Sequence, residues 1–185
     1  MVQLSFDEPL AHELHTRLES VFGTRVKRLH RVSPMRRALE LSAQLVDTDV
    51  YWLADGDFEI APDFDPAAEP PLADGVAMAV YQAMNPICDL VYAYGGLKLI
   101  RTQALREIDT STVDVLAAIG HVEFPQKPAG TTRFNQTPFH TWRAGFREVA
   151  MMVRGQRIRP GPRPRTPPYR YLARRQHRPI RPIWR

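Results

Sequence analysis

Residues 50–57 read VYWLADGD. Val50 to Ala54 is a continuous apolar run rich in β formers, which predicts a strand covered on both faces. Asp55-Gly56-Asp57 closes that strand with a turn. Toward the N-terminus, Val2, Leu4 and Phe6 alternate with Gln3 and Ser5, a second strand pattern. Asp7 is the expected cap of a helix carrying Leu10, Leu14, Leu18 and Val21, with Pro9 in its first turn and Gly23 as its stop. Val26 to Val32 is a weaker strand. Ser33-Pro34 opens another helix, with Met35, Ala38, Leu39, Ser42 and Leu45 on one face. The order β-α-β-α-β predicts an α/β fold with a mostly parallel sheet flanked by helices.

Toward the C-terminus the pattern is looser. Residues 61–75 (APDFDPAAEPPLADG) are proline-rich and acidic, so they predict a loop. Val76 to Met84 reads as one strand. Asp89 to Ile100 holds the Gly95-Gly96 break between two apolar segments. Thr102 is an expected cap for a short helix from Gln103 to Arg106, and a further helix is expected from Thr112 to Ile119. Residues 124–136 read as loop. Thr137-Pro138 starts a helix with Phe139, Trp142, Phe146 and Val149 on one face, expected to be core. Its other side carries His140, Arg143, Arg147 and Glu148, read as either a solvated or a ligand-facing surface.

The chain has 185 residues and a formal net charge of +5, but that charge divides unevenly. Residues 155–185 hold ten Arg, no Lys and no acidic residue, whereas residues 1–154 hold 15 basic and 20 acidic residues. The body is therefore −5 and the tail +10. The tail also has seven Pro in its 31 residues, which blocks helix and inner-strand structure. The expected organisation is a domain over 1–154 and a disordered or extended Arg/Pro-rich tail over 155–185. An arm of that kind neutralises nucleic-acid phosphates. The plain alternative is an accidental end, because Arg and Pro without Lys are typical of GC-rich codons read out of frame. The longest uninterrupted apolar stretch, Val76 to Tyr81, is far short of the about 20 residues of a membrane-spanning helix. With no basic-then-apolar leader at Met1 and a single cysteine, Cys88, a cytoplasmic location is expected.

The sharpest chemical signal is Asp55-Gly56-Asp57 at the end of a strand. Ligands of open parallel sheets bind outside the carboxyl ends of the strands. Two carboxylates separated by a glycine can grip one hard cation, which usually keeps waters and binds substrate phosphates. An Asp-Gly turn without function has the same pattern. Asp7 ends the first strand and opens onto the same sheet edge. The other histidines show no metal-ligand spacing, and there is no Gly-rich phosphate loop, nucleophile elbow or HExxH motif.

Four segments, SFDEP (5–9), YWLADGDFEI (51–60), NPICDLVYAYGGLKLIR (85–101) and FNQTPFHTWRAGFREVA (134–150), stand in this order. Together they resemble the phage glycosyltransferases of the GT-A type associated with TET-like hydroxylases, from about residue 2 to residue 152. The resemblance implies a GT-A (Rossmann-like) fold, a nucleotide-sugar donor and a divalent metal, Mn²⁺ or Mg²⁺, at Asp55 and Asp57. It also implies an acceptor that is a hydroxymethylated pyrimidine in phage DNA, and thus a place in the host cytoplasm. The likeness stops near Arg154, where family members continue with mixed charged helical sequence. That favours a truncated or frameshifted end and an incomplete site.

On this reading Asp7 contacts the nucleoside, and Tyr94, Gly95, Gly96 and Lys98 line the sugar or acceptor cleft. Arg147 is a further binding residue, Asp89 and Glu148 are the candidate general bases, and His140 is a possible further metal ligand. Two rivals stand beside it. One is a nucleic-acid-binding accessory protein acting through its tail. The other is a GT-A-like donor binder without turnover.

Overall fold

The computed structural model describes residues 1–23, 25–93, 96–108 and 118–153. The tail over 155–185 and most of the helix expected at 112–119 lie outside them. The first half follows the periodicity of the sequence. Strand β1 (Val2–Ser5) leads to helix α1 (Ala11–Phe22), β2 (Lys27–His30), α2 (Met35–Gln44) and β3 (Val50–Asp55). Strands β2 and β3 both pair with β1 in parallel. Each apolar helix face packs on the sheet, with Leu14 and Leu18 buried from α1 and Ala38, Leu39 and Ala43 from α2.

Three details differ from the expected caps and faces. Phe6 lies beyond the end of β1 and is exposed, whereas Gln3 and Ser5 of that strand are buried. The N-cap of α1 is Leu10, without a side-chain cap bond, because Asp7 is engaged elsewhere. Met35 is exposed, since it enters the first turn of α2 beyond the edge of the sheet-facing stripe. Gly23 ends α1 as expected, with φ 81° and its N–H donating to the Glu19 carbonyl.

The second half departs further. Val76–Met84 is two strands, β5 (Val76–Val80) and β6 (Gln82–Asn85), which belong to different sheets. Tyr81 is the corner between them; its N–H donates to the Leu97 carbonyl at 3.0 Å. The short β4 (Phe58–Ile60) follows the turn after β3, and β7 (Leu90–Tyr92) and β8 (Leu97–Arg101) flank the Gly95-Gly96 region. Thr102 is the first residue of α3 (Thr102–Arg106) rather than its cap, and its hydroxyl donates to the Thr48 carbonyl at 2.5 Å. Strand β9 is His121–Glu123. The segment read as loop at 124–136 contains β10 (Pro128–Thr132). Nothing in PAGTT alternates; its strand state comes from pairing with β4 on one side and β6 on the other.

The main sheet has the order β2-β1-β3-β8-β5-β9, and only β8 runs against the others. The protein is thus an α/β fold with a mostly parallel sheet flanked by helices. One face of that sheet forms a core with α2 and α3, around Tyr51, Leu53, Met78 and Ile100. The other face packs Leu18 of α1 against Ala54, Phe58, Tyr81 and Leu99. The alternation within VYWLA explains how one strand serves both. The smaller sheet, β4-β10-β6-β7, joins the second core through Phe58, Ile60, Ala83 and Ala129.

Helix α4 (Pro138–Val153) overturns one expectation outright. Phe139, Trp142, Phe146 and Val149 are 57–64% exposed and are not core. Ala144, on the opposite side, is buried. The helix therefore turns its polar face, with His140, Arg143 and Arg147, toward the body.

Candidate functional site

The carboxyl ends of β1, β2 and β3 open onto a cleft of about 310 Å³. Its walls include Asp7 and Glu8 after β1, Ser33 after β2, Asp57 after β3, Arg133 after β10, and His140, Arg143 and Arg147 of α4. This is the edge where an α/β sheet of this kind receives ligands.

Asp55 and Asp57 reach that edge through a turn that only glycine permits. A Cβ on Gly56 would lie 2.7 Å from Glu8 Oε2, 2.8 Å from Ser5 Cβ and 2.9 Å from the Leu4 carbonyl oxygen. The turn therefore rests directly on the end of β1. Asp55 is paired: Lys98 Nζ donates to its Oδ1 at 2.8 Å from the antiparallel neighbour β8. Asp57 is different. Burial, then the charges of Asp55 and Glu8, push its carboxyl up to about 7, against a smaller opposing pull from Arg147.

Asp7 is in the opposite state. Arg143 Nη1 and Nη2 donate to Asp7 Oδ2 and Oδ1 at 2.9 and 3.1 Å, a two-pronged pair. These hydrogen bonds, helped by the charges of Arg143 and His140, hold its carboxyl below the ordinary range. His140 Nε2 stands 3.8 Å from Asp7 Oδ1, while Nδ1 shares a 2.7 Å hydrogen bond with the Thr137 hydroxyl. Among the described residues, three buried side-chain atoms have no hydrogen-bond partner: Thr132 Oγ1, Arg133 Nε and His140 Nε2. Two of them belong to residues lining the cleft. Buried polar atoms are normally satisfied, so such a pair marks a place for a polar ligand or ordered water.

The structure thus brings together Asp7, Asp57, His140 and Arg147, with Asp55 and Lys98 adjoining through the turn. It separates others. Asp89 sits in the β6–β7 turn with φ 55° and is not among the residues lining the cleft. Gly96 has a packing reason for being glycine, since a Cβ there would lie 2.5 Å from Phe58 Cδ2. Tyr94, Gly95 and the side chain of Glu148 lie outside the described residues. His140 faces Asp7 instead of completing a ligand set with Asp55 and Asp57. Among the described residues no three of His, Cys, Asp and Glu are placed to hold one metal ion. A cation that keeps most of its waters needs only one or two carboxylates and a substrate phosphate, and Asp55 and Asp57 fit that smaller demand. The charge crowding at Asp57 is what such a cation would relieve. The sequence reading missed Glu8, Arg133 and Gln136. Gln136 Oε1 accepts from the Leu10 N–H at 2.8 Å, tying the approach to α4 to the start of α1. Arg133 falls where the sequence predicts loop, and only its strand neighbours give it a position.

Fold and site together define an α/β protein with a charged cleft at the carboxyl edge of a mostly parallel sheet. No family model matches the chain, and no curated protein matches it. Among solved structures it is similar to HddC from Yersinia pseudotuberculosis, at 10% identity over 80% of this chain and 77% of that one, with a TM-score of 0.42. A second structure, HddC complexed with GMP-PN, is 9% identical over 80% of this chain and 99% of that one, with a TM-score of 0.45. Among the described residues no helix is long and apolar enough to cross a membrane.

Proposed function

We propose that the cleft binds a nucleotide-sugar donor with a divalent cation at Asp55 and Asp57, and that the protein is a glycosyltransferase. The acceptor implied by the sequence resemblance is a hydroxymethylated pyrimidine in DNA. The observation that carries the proposal is the pair of unsatisfied atoms, Arg133 Nε and His140 Nε2, in a cleft lined by arginines beside an acidic turn. A donor diphosphate supplies anionic oxygens to arginine, and a ribose or sugar hydroxyl supplies a partner for His140. A bound Mg²⁺ or Mn²⁺ would neutralise charge on the diphosphate leaving group. The chain's own residues do the remaining work. Asp55 and Asp57 offer oxygen ligands from one rigid turn. Arg143 and His140 fix Asp7 at the cleft wall, and Arg147 adds positive charge near Asp57. Lys98 neutralises Asp55, whose Oδ1 accepts from Lys98 Nζ at 2.8 Å.

Calorimetry with a panel of nucleoside diphosphate sugars and MnCl₂ tests this reading. Asp55→Asn and Asp57→Asn are each expected to weaken manganese-dependent binding by more than tenfold, on the order of the 1.4 kcal/mol that a factor of ten represents. Unchanged affinity in both variants would remove the turn from the site. Transfer of labelled sugar to DNA containing hydroxymethylated pyrimidines separates an enzyme from a donor binder without turnover. The charge of +10 over residues 155–185 favours a second reading, a nucleic-acid-binding accessory protein. DNA affinity that survives Asp55→Ala and disappears with the tail would support it.

A further inference from the structure

One carboxylate, Asp7, faces two donors of α4 and satisfies only one of them. Arg143 Nη1 and Nη2 take both of its oxygens, at 2.9 and 3.1 Å, and the two side chains are 44% and 41% exposed. His140 is only 12% exposed, and its Nε2 stands 3.8 Å from Asp7 Oδ1, too far for a hydrogen bond. Nε2 is also buried without a hydrogen-bond partner. The Thr137 hydroxyl accepts from the His140 N–H at 3.2 Å and lies 2.7 Å from Nδ1. Its own hydrogen is therefore placed to go to Nδ1, and the neutral ring carries its proton on Nε2. His140 is thus a donor aimed at an acceptor that stops short of it. Arg133 Nε, in the wall of the same cleft, is a second buried donor without a hydrogen-bond partner.

We infer that Asp7 is a built-in competitor for a phosphate-binding pair, Arg143 and His140. In the empty cleft its carboxylate stands where a phosphate group of the ligand docks, and binding exchanges one for the other. The inference rests on the reading of the cleft as a site for a nucleotide diphosphate. Shape supports the exchange. A carboxylate offers two oxygens in one plane, and Arg143 uses both. A terminal phosphate offers a third oxygen outside that plane, which can meet a donor beside the guanidinium. His140 Nε2 is such a donor. Charge supports it as well, since a terminal phosphate carries more negative charge than the single charge of Asp7. A partly exposed ion pair holds its members weakly, so displacing Asp7 costs little. The other charges around Arg143 set a condition. Glu8 and Asp57 act on its guanidinium together with Asp7, and both oppose an incoming anion. Arg147 offsets Asp57 in part. A divalent cation at the Asp55–Asp57 turn removes most of the remaining opposition, so the exchange favours a metal-bound phosphate.

The test is calorimetry of the full chain with inorganic pyrophosphate and MgCl₂. Arg143→Ala is expected to weaken binding by about tenfold. Asp7→Asn keeps the shape and removes the charge, and is expected to tighten binding by about fivefold. In an Arg143→Ala background the same change should leave affinity within about twofold, because the pair is already gone. A second readout does not depend on affinity. The Arg143 Nε–H resonance, assigned by its loss in Arg143→Lys, should move when pyrophosphate is added to the wild type. In Asp7→Asn it should start away from its wild-type position. Three results overturn the inference. Asp7→Asn weakens binding or leaves it unaltered; the gain is equal in both backgrounds, which makes it a removal of charge alone; or no pyrophosphate binds and the resonance stays in place. The cation turn is tested separately. If Asp55→Asn and Asp57→Asn leave pyrophosphate affinity unchanged while the Asp7→Asn gain persists, the cation reading fails and the exchange stands.

Discussion

Among the described residues two groups of aromatic rings are built in opposite ways. The first joins Trp52 of β3 to Phe22 at 5.8 Å, Phe64 at 5.6 Å and Tyr81 at 5.2 Å. Its members come from α1, from the main sheet and from the acidic loop, and Trp52–Phe64 and Phe64–Tyr81 meet nearly edge to face. The second is the ladder of α4, whose rings are neighbours in sequence and lie nearly parallel. The ladder reads as core in the sequence, whereas Phe64 of the first group falls in a stretch that reads as loop. Apolar periodicity says that a helix has an apolar side, but not what lies against it. Rings that meet across long sequence separations are held by the whole fold, whereas rings that meet along one helix need only the helix.

The largest effect should fall on the first group. Tyr81→Ala removes a fully buried ring at the corner between the two sheets and is expected to cost about 3–5 kcal/mol, read from urea unfolding. A cost near zero would mean that the corner does not depend on its ring.

A charge-based contrast gives the next effect. Asp57 has an ordinary value of 3.8 and a folded value of about 7. Below about pH 4 it is protonated in both folded and unfolded chains. Between about pH 4 and 7 the unfolded chain ionises and the folded chain resists, so stability falls as pH rises; above 7 the loss is complete. Asp57→Asn should therefore gain melting temperature over the wild type across that window and hold the gain at higher pH. Manganese should shrink the gain by stabilising the ionised carboxylate. A gain that grows instead toward acid pH would contradict this assignment. Asp7 behaves inversely, because its lowered value contributes stability that is lost as pH falls through it.

The smallest effect should come from the ladder. Trp142→Ala is expected to shift unfolding by less than about 1 kcal/mol, as surface substitutions do. A loss equal to that of Tyr81→Ala would return the stripe to the core and erase the contrast between the two groups.

Much of the fold was legible where local pattern and tertiary partner agree. Strands β1 and β3 and helices α1 and α2 declare themselves because each has one apolar period and a sheet to bury it. The segment 128–132 was not legible, because its pairing is imposed by β4 and β6 rather than by its own side chains. Nor was the break at Tyr81, because the apolar run continues through the corner. At the cleft edge, Asp7 and Asp57 were legible as residues that follow strands, Asp55 as the end of β3, and the polar face of α4 as a charged stripe. That Asp89 does not line the cleft was not legible, because a carboxylate in a turn looks the same in sequence whichever edge the turn occupies. Arg133 and Glu8 became visible only when distant strands brought them to the cleft.

The position of Gly56 has a consequence for how this gene can vary. Every codon change away from glycine adds at least a methyl group. Here that group would press on the Leu4 carbonyl, part of the backbone of β1, which no rotamer change can move aside. Asp55 and Asp57 can each drift to a neutral amide without moving the turn, so their chemistry can be lost while their geometry survives. Gly56 offers no such gradual path, since any step taken there shifts both carboxylates together. Random mutagenesis of the turn should therefore return folded variants at positions 55 and 57 more often than at position 56.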